Sequence, residues 1–248
     1  GKSFYKDAAE CLVDFHSART RSYARSSEDV LKKICARAKR ADLRVEVQSD
    51  GDAIVREEWH GVTATRDGIL KIPLRILTTL GDADIPSLSA KVRSRRKCTI
   101  SLDRRLSSQP EVGGVKVRQE IRGHVSFATQ LSMSDGEDLT MTYRITNAFH
   151  ITDLGAPATQ STEWYTFGRL ERFPVLAEEV VISIVFPPEY GTLQPDKFWV
   201  RIVDAANGGE ERVEELAEHI FWHVLAELRT VVLVCRRPMP NVLYRVEW

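Results

Sequence analysis

The chain has 248 residues, of which 43% are hydrophobic and 28% charged, a composition close to the average of globular proteins that argues against intrinsic disorder. Its 35 basic and 35 acidic residues give a formal net charge of zero, so the global basic excess typical of nucleic-acid-binding proteins is absent. No stretch approaches the roughly 18 apolar residues that span a bilayer, and no signal peptide opens the chain.

The termini and the cysteines indicate whether the chain is part of a larger protein and in which compartment it lies. It begins Gly-Lys-Ser without Met and ends at Trp248 inside a strand-like run, so we interpret it as a fragment of a larger protein. Cys11, Cys35, Cys98 and Cys235 form no CxxC pair, which favours small buried hydrophobes in a reducing, cytoplasmic compartment. Zero net charge lowers the barrier to self-association, so a homo-oligomer is compatible with the sequence.

The first 41 residues are predicted to be helical. Apolar residues recur at helical spacing from Phe4 to Phe15 and again from Val30 to Ala38. Either Ser26 or Ser27 can cap the second run, which carries basic residues near its end, at Lys39 and Arg40, where the helix dipole favours cations.

Strand patterns follow. Leu43, Val45 and Val47 alternate with polar residues, and Asp50-Gly51 separates them from a second strand-like run, which predicts a β-hairpin. The segment 72–80 fits helix and strand equally well. Residues 81–97 combine Gly, Asp, Pro and Ser with a basic run, a composition typical of a connector.

Beyond the connector, short strand-like runs alternate with turn sequences such as Gly113-Gly114 and Asp135-Gly136, which predicts an antiparallel sandwich or barrel. One amphipathic helix is predicted near 210–229, where apolar residues form a broad stripe at helical spacing. The expected fold class is α+β: helices and a hairpin unit over 1–95, then an antiparallel β-sandwich with one helix over 96–248.

A pair of histidines on that helix is a candidate metal site. His219 and His223 are spaced i and i+4, and a helix would place both imidazoles on one face, as two zinc ligands require. The pattern is not HExxH, because Ile220 follows His219 and the general base is missing. The alternative is a polar edge of an amphipathic helix, and beyond this zinc hypothesis no cofactor is predicted.

The basic segment 91–105 is the candidate ligand site. It concentrates positive charge that suits phosphates or another small anion, and the predicted contacts are Arg93, Arg95, Arg96, Lys97 and Arg105. Three alternatives stay open: a nucleic-acid site, which the poor interleaving of aromatic residues disfavours; a solvated connector; and a run of cations paired with the acidic residues of the predicted helix over 210–218.

Aromatic residues cluster late in the chain, and most are predicted to fill the core. Trp164 and Tyr165 are the exception, because neighbouring strand residues face opposite ways and one of the pair is then available to a ligand.

Function follows from these candidates and from missing motifs. The sequence contains no GxSxG elbow, Walker loop or GxGxxG fingerprint, which favours a non-enzyme without excluding catalysis. We predict a non-catalytic regulatory or sensor module that binds a small anionic ligand or a protein partner. The alternatives are a metal-dependent enzyme centred on His219 and His223 and a nucleic-acid-binding module using 91–105.

Overall fold

The computed structural model describes residues 34–78, 81–94, 97–106, 111–112, 115–116, 118–149, 164–168, 175–204, 210–212, 219–236, 238 and 242–248. These residues are almost entirely β, and they contain no helix of seven or more residues. The α+β prediction is therefore wrong, and the fold is built from mixed and antiparallel sheets. No helix in the described ranges is long and apolar enough to cross a bilayer.

Sixteen strands make up the described fold. In chain order they are β1 Ala36–Val47, β2 Ala53–Ala64, β3 Lys71–Thr78, β4 Asp82–Val92, β5 Cys98–Leu106, β6 Glu111–Val112, β7 Val115–Lys116, β8 Gln119–Phe127, β9 Glu137–Thr146, β10 Trp164–Gly168, β11 Val175–Val185, β12 Trp199–Asp204, β13 Glu210–Arg212, β14 Ile220–Leu225, β15 Thr230–Arg236 and β16 Val242–Glu247. Short 3-10 turns lie at Pro188–Tyr190, Pro195–Lys197 and Ala226–Leu228.

These strands form four sheets. A seven-stranded sheet has the order β14-β15-β11-β1-β2-β9-β4, a four-stranded sheet β10-β16-β12-β13, a three-stranded sheet β3-β8-β5, and β6 pairs with β7. The seven-stranded sheet takes strands from both sides of residue 95, where the sequence placed a boundary between two units. That boundary stays a prediction.

The Asp50-Gly51 hairpin is confirmed. β1 and β2 pair antiparallel with Val47 opposite Ala53, and Gly51 has a φ of 85°, a conformation that glycine adopts without strain. The Asp50 carboxylate accepts a hydrogen bond from the backbone N–H of Asp52 at 3.0 Å and closes the turn. The turn therefore sets the register of the centre of the large sheet.

One central pairing departs from the predicted antiparallel arrangement. β1 pairs with β11 in parallel, with Ala36 opposite Val175 and Glu46 opposite Val185. Both strands are apolar on their core face, where Leu43, Val45 and Ile182 are at most 2% exposed. A parallel pair needs a long connection between its strands, and here more than a hundred residues of chain separate β1 from β11.

Both helix predictions are wrong where the structure describes the chain. Residues 36–40, the predicted end of the second helix, belong to β1; residues 1–33 lie outside the described ranges. Within 210–229 the described residues form β13, β14 and a 3-10 turn. Ile220 and Val224 are buried and Leu225 is half-buried, so β14 packs as a strand although its spacing also fits a helix.

The predicted connector over 81–97 is also mostly a strand. β4 pairs antiparallel with β9 from Asp82 opposite Thr146 to Val92 opposite Leu139. Its register shifts between Asp84 and Ser89, around Pro86, which lacks the N–H that a regular ladder uses. The proline and serines thus mark a bulge on an edge strand.

The core lies between the sheets. Buried side chains of the seven-stranded sheet pack with those of the three-stranded sheet and of the four-stranded sheet in one cluster. Between the first two sheets lies a small apolar cavity of about 10 Å³, lined by Trp59, Val62, Ile72, Pro73, Val125, Leu139 and Met141. It is too small and too apolar to hold a ligand.

The prediction that the cysteines behave as buried hydrophobes is confirmed for Cys35 and Cys235, and Cys98 is half-buried. Burial raises the pKa of all three thiols, that of Cys235 to about 12. In a Cys11→Ser variant, which removes the one cysteine outside the described ranges, we expect a thiol reagent to label Cys98 first and Cys235 only on unfolding. Mass spectrometry of peptides from a labelling time course measures this order, and early labelling of Cys235 would contradict it.

Candidate anion-binding face

The three-stranded sheet presents one polar face. Ile72, Leu74 and Ile76 of β3 and Ile121 and Val125 of β8 are buried in the core, so the alternate residues of these strands lie on the opposite face. We call that surface the basic face, and its described side chains are Lys71, Pro73, Arg75, Lys97, Thr99, Ser101, Asp103, Glu120, Arg122, His124 and Ser126.

Two arginines of the basic face share one buried glutamate. Arg75 and Arg122 pair across β3 and β8, and Glu120 lies two residues before Arg122 on the same side of β8. Arg75 Nε donates to Glu120 Oε1 at 2.5 Å, while Arg122 donates from Nε to Oε1 and from Nη2 to Oε2, both at 2.8 Å. The side chains of Glu120 and Arg75 are 2% and 9% exposed, and that of Arg122 is 31% exposed.

Burial by itself raises the pKa of Glu120, but the hydrogen bonds and positive charges of Arg122 and Arg75 outweigh it, and the pKa lies below its ordinary value. Glu120 is therefore a carboxylate. One negative charge then stands between two guanidinium groups, which leaves this cluster with a net positive charge.

Arg122 keeps donors for a ligand. Its Nε and Nη2 bind Glu120 side-on, so the Nη1 group points away from that carboxylate, and nearly a third of the side chain reaches solvent. A guanidinium held by one carboxylate is pre-organised to bind a second anion with its remaining N–H groups.

The rest of the face adds charge and hydroxyls. Lys71 and Lys97 are exposed at the end of the sheet remote from Arg75. Ser126 and Thr99 lie in register with Lys71 at that end, and Ser101 lies between them and the Arg75 end. Arginine, lysine and hydroxyl side chains are the groups that contact phosphate oxygens in proteins. Among the described side chains here, four cations, Lys71, Arg75, Lys97 and Arg122, face two carboxylates, Asp103 and Glu120.

His124 provides a further polar pair. Its Nδ1 lies 2.8 Å from Asp103 Oδ2, and Ser101 is its register partner on β5. Aspartate, histidine and serine are the components of a catalytic triad, which requires a hydrogen bond from the serine to the histidine. In the described structure Ser101 and His124 make no such bond, so the geometry supports orientation of the imidazole and not activation of a nucleophile.

The structure divides the predicted basic segment. Arg93 does not lie on the basic face. Its Nη1 donates a hydrogen bond to Asp138 Oδ2 at 3.2 Å, beside the seven-stranded sheet. The backbone N–H of Gly61 and the charge of Arg93 lower the pKa of Asp138, so this pair is ionised. Arg95 and Arg96 lie outside the described residues. Of the predicted ligand contacts, only Lys97 has a described side chain on the basic face.

Arg105 belongs to β5, where it pairs in register with Ile121, and its neighbour Arg104 pairs with Arg122. The structure describes the backbone of both arginines and not their side chains. The register Arg75, Arg122, Arg104 thus runs across all three strands of the sheet.

The other predicted site residues fall elsewhere. His219 precedes β14 and His223 lies within it, so the shared helical face that motivated a metal site does not exist. Four residues along a strand span about 13 Å between Cα atoms, and the described residues contain no group of three or more metal-ligating side chains. Trp164 and Tyr165 lie in β10 and pair with β16, but their side chains are outside the described structure.

Sequence reasoning missed the central residues of the face. Arg75, Glu120 and Arg122 are far apart in the chain and belong to no motif. The one signal was the polar alternation Glu120, Arg122, His124 within a strand-like run, which marks the outer face of a strand without naming its neighbours.

No protein-family model and no curated protein matches this chain. Among solved structures, it is similar to that of "a putative protease" from Parabacteroides distasonis ATCC 8503, with 10% identity over 86% of this chain and a TM-score of 0.38. The chain spans 40% of the length of that protein chain. Similarity this low carries no argument about fold or function.

Proposed function

We propose that this chain is a non-catalytic regulatory or sensor module of an intracellular protein, and that it binds a small anion bearing phosphate or carboxylate groups on the basic face. The observation that carries this proposal is the buried Glu120 held by Arg75 and Arg122, with Arg122 still partly exposed. The cluster retains positive charge and unused donors on a rigid sheet.

Two further features support the proposal. The cavity between the seven-stranded and three-stranded sheets holds no more than a water-sized volume, so that cavity is not the proposed anion site. The basic face supplies hydrogen-bond donors and positive charge, which bind an anion, while Ser101 lacks the hydrogen bond to His124 that nucleophilic catalysis needs.

Arg122→Gln tests the site. With inorganic phosphate as the probe, we expect the substitution to weaken binding by about tenfold or more, because a charge-assisted hydrogen bond to an anion is lost. Binding is measured by titration of backbone amide chemical shifts, which also locate the ion. The affinity of the unmodified protein should fall as salt is added, since screening weakens attraction between exposed charges.

Arg44→Gln is the matched control. Arg44 also bonds a glutamate two residues away on its strand, Glu46, at 2.6 Å, but the pair is exposed and lies on the seven-stranded sheet. The Arg44→Gln substitution should leave phosphate binding unchanged. A double variant, Lys71→Gln with Lys97→Gln, keeps the Glu120 cluster intact and should still weaken binding. Unchanged binding in Arg122→Gln and the double variant alike would exclude the basic face as the site.

A further inference from the structure

One edge of the seven-stranded sheet is apolar and uncharged. β14 has the sequence Ile-Phe-Trp-His-Val-Leu, without Lys, Arg, Asp, Glu or Pro, and within the described part of the chain its strand partner is β15 alone. Phe221 and Trp222 are 47% and 37% exposed. Trp222 lies opposite Leu233, which is fully buried, so it stands on the core side of the sheet and is exposed at its margin.

The other edge of the same sheet is protected in the ways that prevent strand addition. β4 contains Pro86, a register shift between Asp84 and Ser89, and the charged Lys91. Proline, bulges and lysine are the devices that proteins use to block edges. β14 has none of them, so it is the edge of this sheet suited to pairing.

The backbone of β14 is oriented for pairing. The N–H of Arg236 on β15 donates to the carbonyl of His219 at 2.9 Å, and antiparallel ladders alternate, so Phe221 and His223 also bond toward β15. Ile220, Trp222 and Val224 therefore direct their N–H and C=O groups to the outer edge. Three alternate residues with outward-directed N–H and C=O groups are the backbone template that an added strand requires.

We propose that β14 pairs antiparallel with β14 of a second copy of this chain, about a two-fold axis through Trp222. The pairing sets Trp222 opposite itself, Ile220 opposite Val224 of the second copy, and Phe221 opposite His223 of the second copy. The three outward residues of each copy then exchange about six backbone hydrogen bonds across the axis. The result is one continuous sheet through both copies.

Self-complementarity favours a second copy over an unrelated strand. With Trp222 on the axis, apolar side chains meet on the core face and no like charges meet on either face, because β14 carries no carboxylate, lysine or arginine. The formal net charge of zero removes long-range repulsion between copies. The inference is independent of the basic face, which lies on a different sheet.

Sedimentation velocity over a concentration series tests the proposal. The unmodified chain should form a dimer, and Trp222→Lys should be monomeric, because two lysines would meet on the axis. Trp199→Lys is the matched control: Trp199 is 52% exposed on the four-stranded sheet and should leave the dimer intact. His223→Lys changes an exposed position on the face of β14 away from the core and should also weaken the dimer by at least tenfold.

Amide hydrogen exchange distinguishes a dimer paired through β14 from a dimer formed through another surface. In the dimer the amides of Ile220, Trp222 and Val224 should be protected, and in Trp222→Lys they should exchange fast while Phe221 and His223 stay protected by β15. Retained protection of those two amides shows that the variant is folded. A chain that is monomeric at every concentration, or a dimer that survives both lysine substitutions in β14, would overturn the proposal.

Discussion

Glu120→Gln is expected to destabilise the folded protein by about 3 kcal/mol. The substitution removes the carboxylate that bonds both Arg75 and Arg122 and brings two guanidinium groups together without its charge, one of them almost buried. Removing one partner of a buried ion pair costs about 3–5 kcal/mol, and the lower value applies because Arg122 is partly hydrated. Urea denaturation followed by circular dichroism measures the free energy of unfolding.

The same carboxylate gives the stability a defined pH dependence. The pKa of Glu120 is lower in the folded state than in the unfolded state, so its stabilisation is fully present above the unfolded pKa and is lost as the pH falls through the folded pKa. The loss should begin below about pH 4.3, the ordinary value for glutamate. The difference in unfolding free energy between the unmodified protein and Glu120→Gln should therefore narrow in acid.

The effect of phosphate on the stability of Glu120→Gln also tests whether the basic face binds anions. In Glu120→Gln the two arginines lose the negative charge of Glu120, so phosphate should raise the melting temperature of the variant more than that of the unmodified protein. Glu46→Gln is the control, because Glu46 pairs with the exposed Arg44 and should change stability by less than about 0.5 kcal/mol. Equal losses in both variants would show that the Glu120 cluster contributes no more than a surface ion pair.

Local sequence signals predicted the strands well where a turn fixes them. Asp50-Gly51 located the β1–β2 hairpin, and the strand-like runs over 139–146, 180–186, 198–203, 231–235 and 242–248 fall on β9, β11, β12, β15 and β16. They failed over 220–225, because Ile220, Phe221, Trp222, Val224 and Leu225 are apolar at nearly every position and fit both a helical stripe and a strand. The pairing with β15, which no local pattern contains, decides between them.

The candidate site was predictable only in its charge. The basic run indicated an anion and led to Lys97, which lies on the basic face, and to Arg93, which instead pairs with Asp138. Arg75, Glu120 and Arg122 meet because β3 and β8 pair in one particular register. That register is a long-range property of the fold, set by the buried residues on the opposite side of the strands, so a list of basic residues along the chain does not contain it.

For the aromatic residues too, the sequence predicts that most are buried but does not say which of two neighbours faces the core. The prediction that most of them are core is confirmed for Phe186, Tyr190, Phe198 and Tyr244, each at most 6% exposed, whereas Trp199 is 52% exposed. Phe198 and Trp199 are neighbours at the start of a strand, so one must face inward and the other outward. The sequence predicts the alternation, and packing against Phe186 selects the buried member.

Phe186→Ala is expected to cost about 3–5 kcal/mol, as large an effect as any single side chain in the described core. Phe186 follows β11 of the seven-stranded sheet and is 2% exposed. Its ring centroid lies 5.1 Å from that of Tyr190, 5.7 Å from that of Phe198 and 5.1 Å from that of Trp248. Phe198 precedes β12 and Trp248 follows β16, so this ring joins the seven-stranded sheet to the four-stranded sheet.

Two substitutions make the measurement specific to that junction. Phe186→Leu keeps most of the apolar volume and should cost less than about 1.5 kcal/mol, while Trp199→Ala removes an exposed aromatic side chain beside the junction and should stay within about 0.5 kcal/mol. If Phe186 holds the two sheets together, Phe186→Ala should also speed hydrogen exchange in β12 and β16 while β1 and β2 stay protected. A loss below about 1 kcal/mol with unchanged exchange in β12 and β16 would show that the four-stranded sheet is held by other contacts.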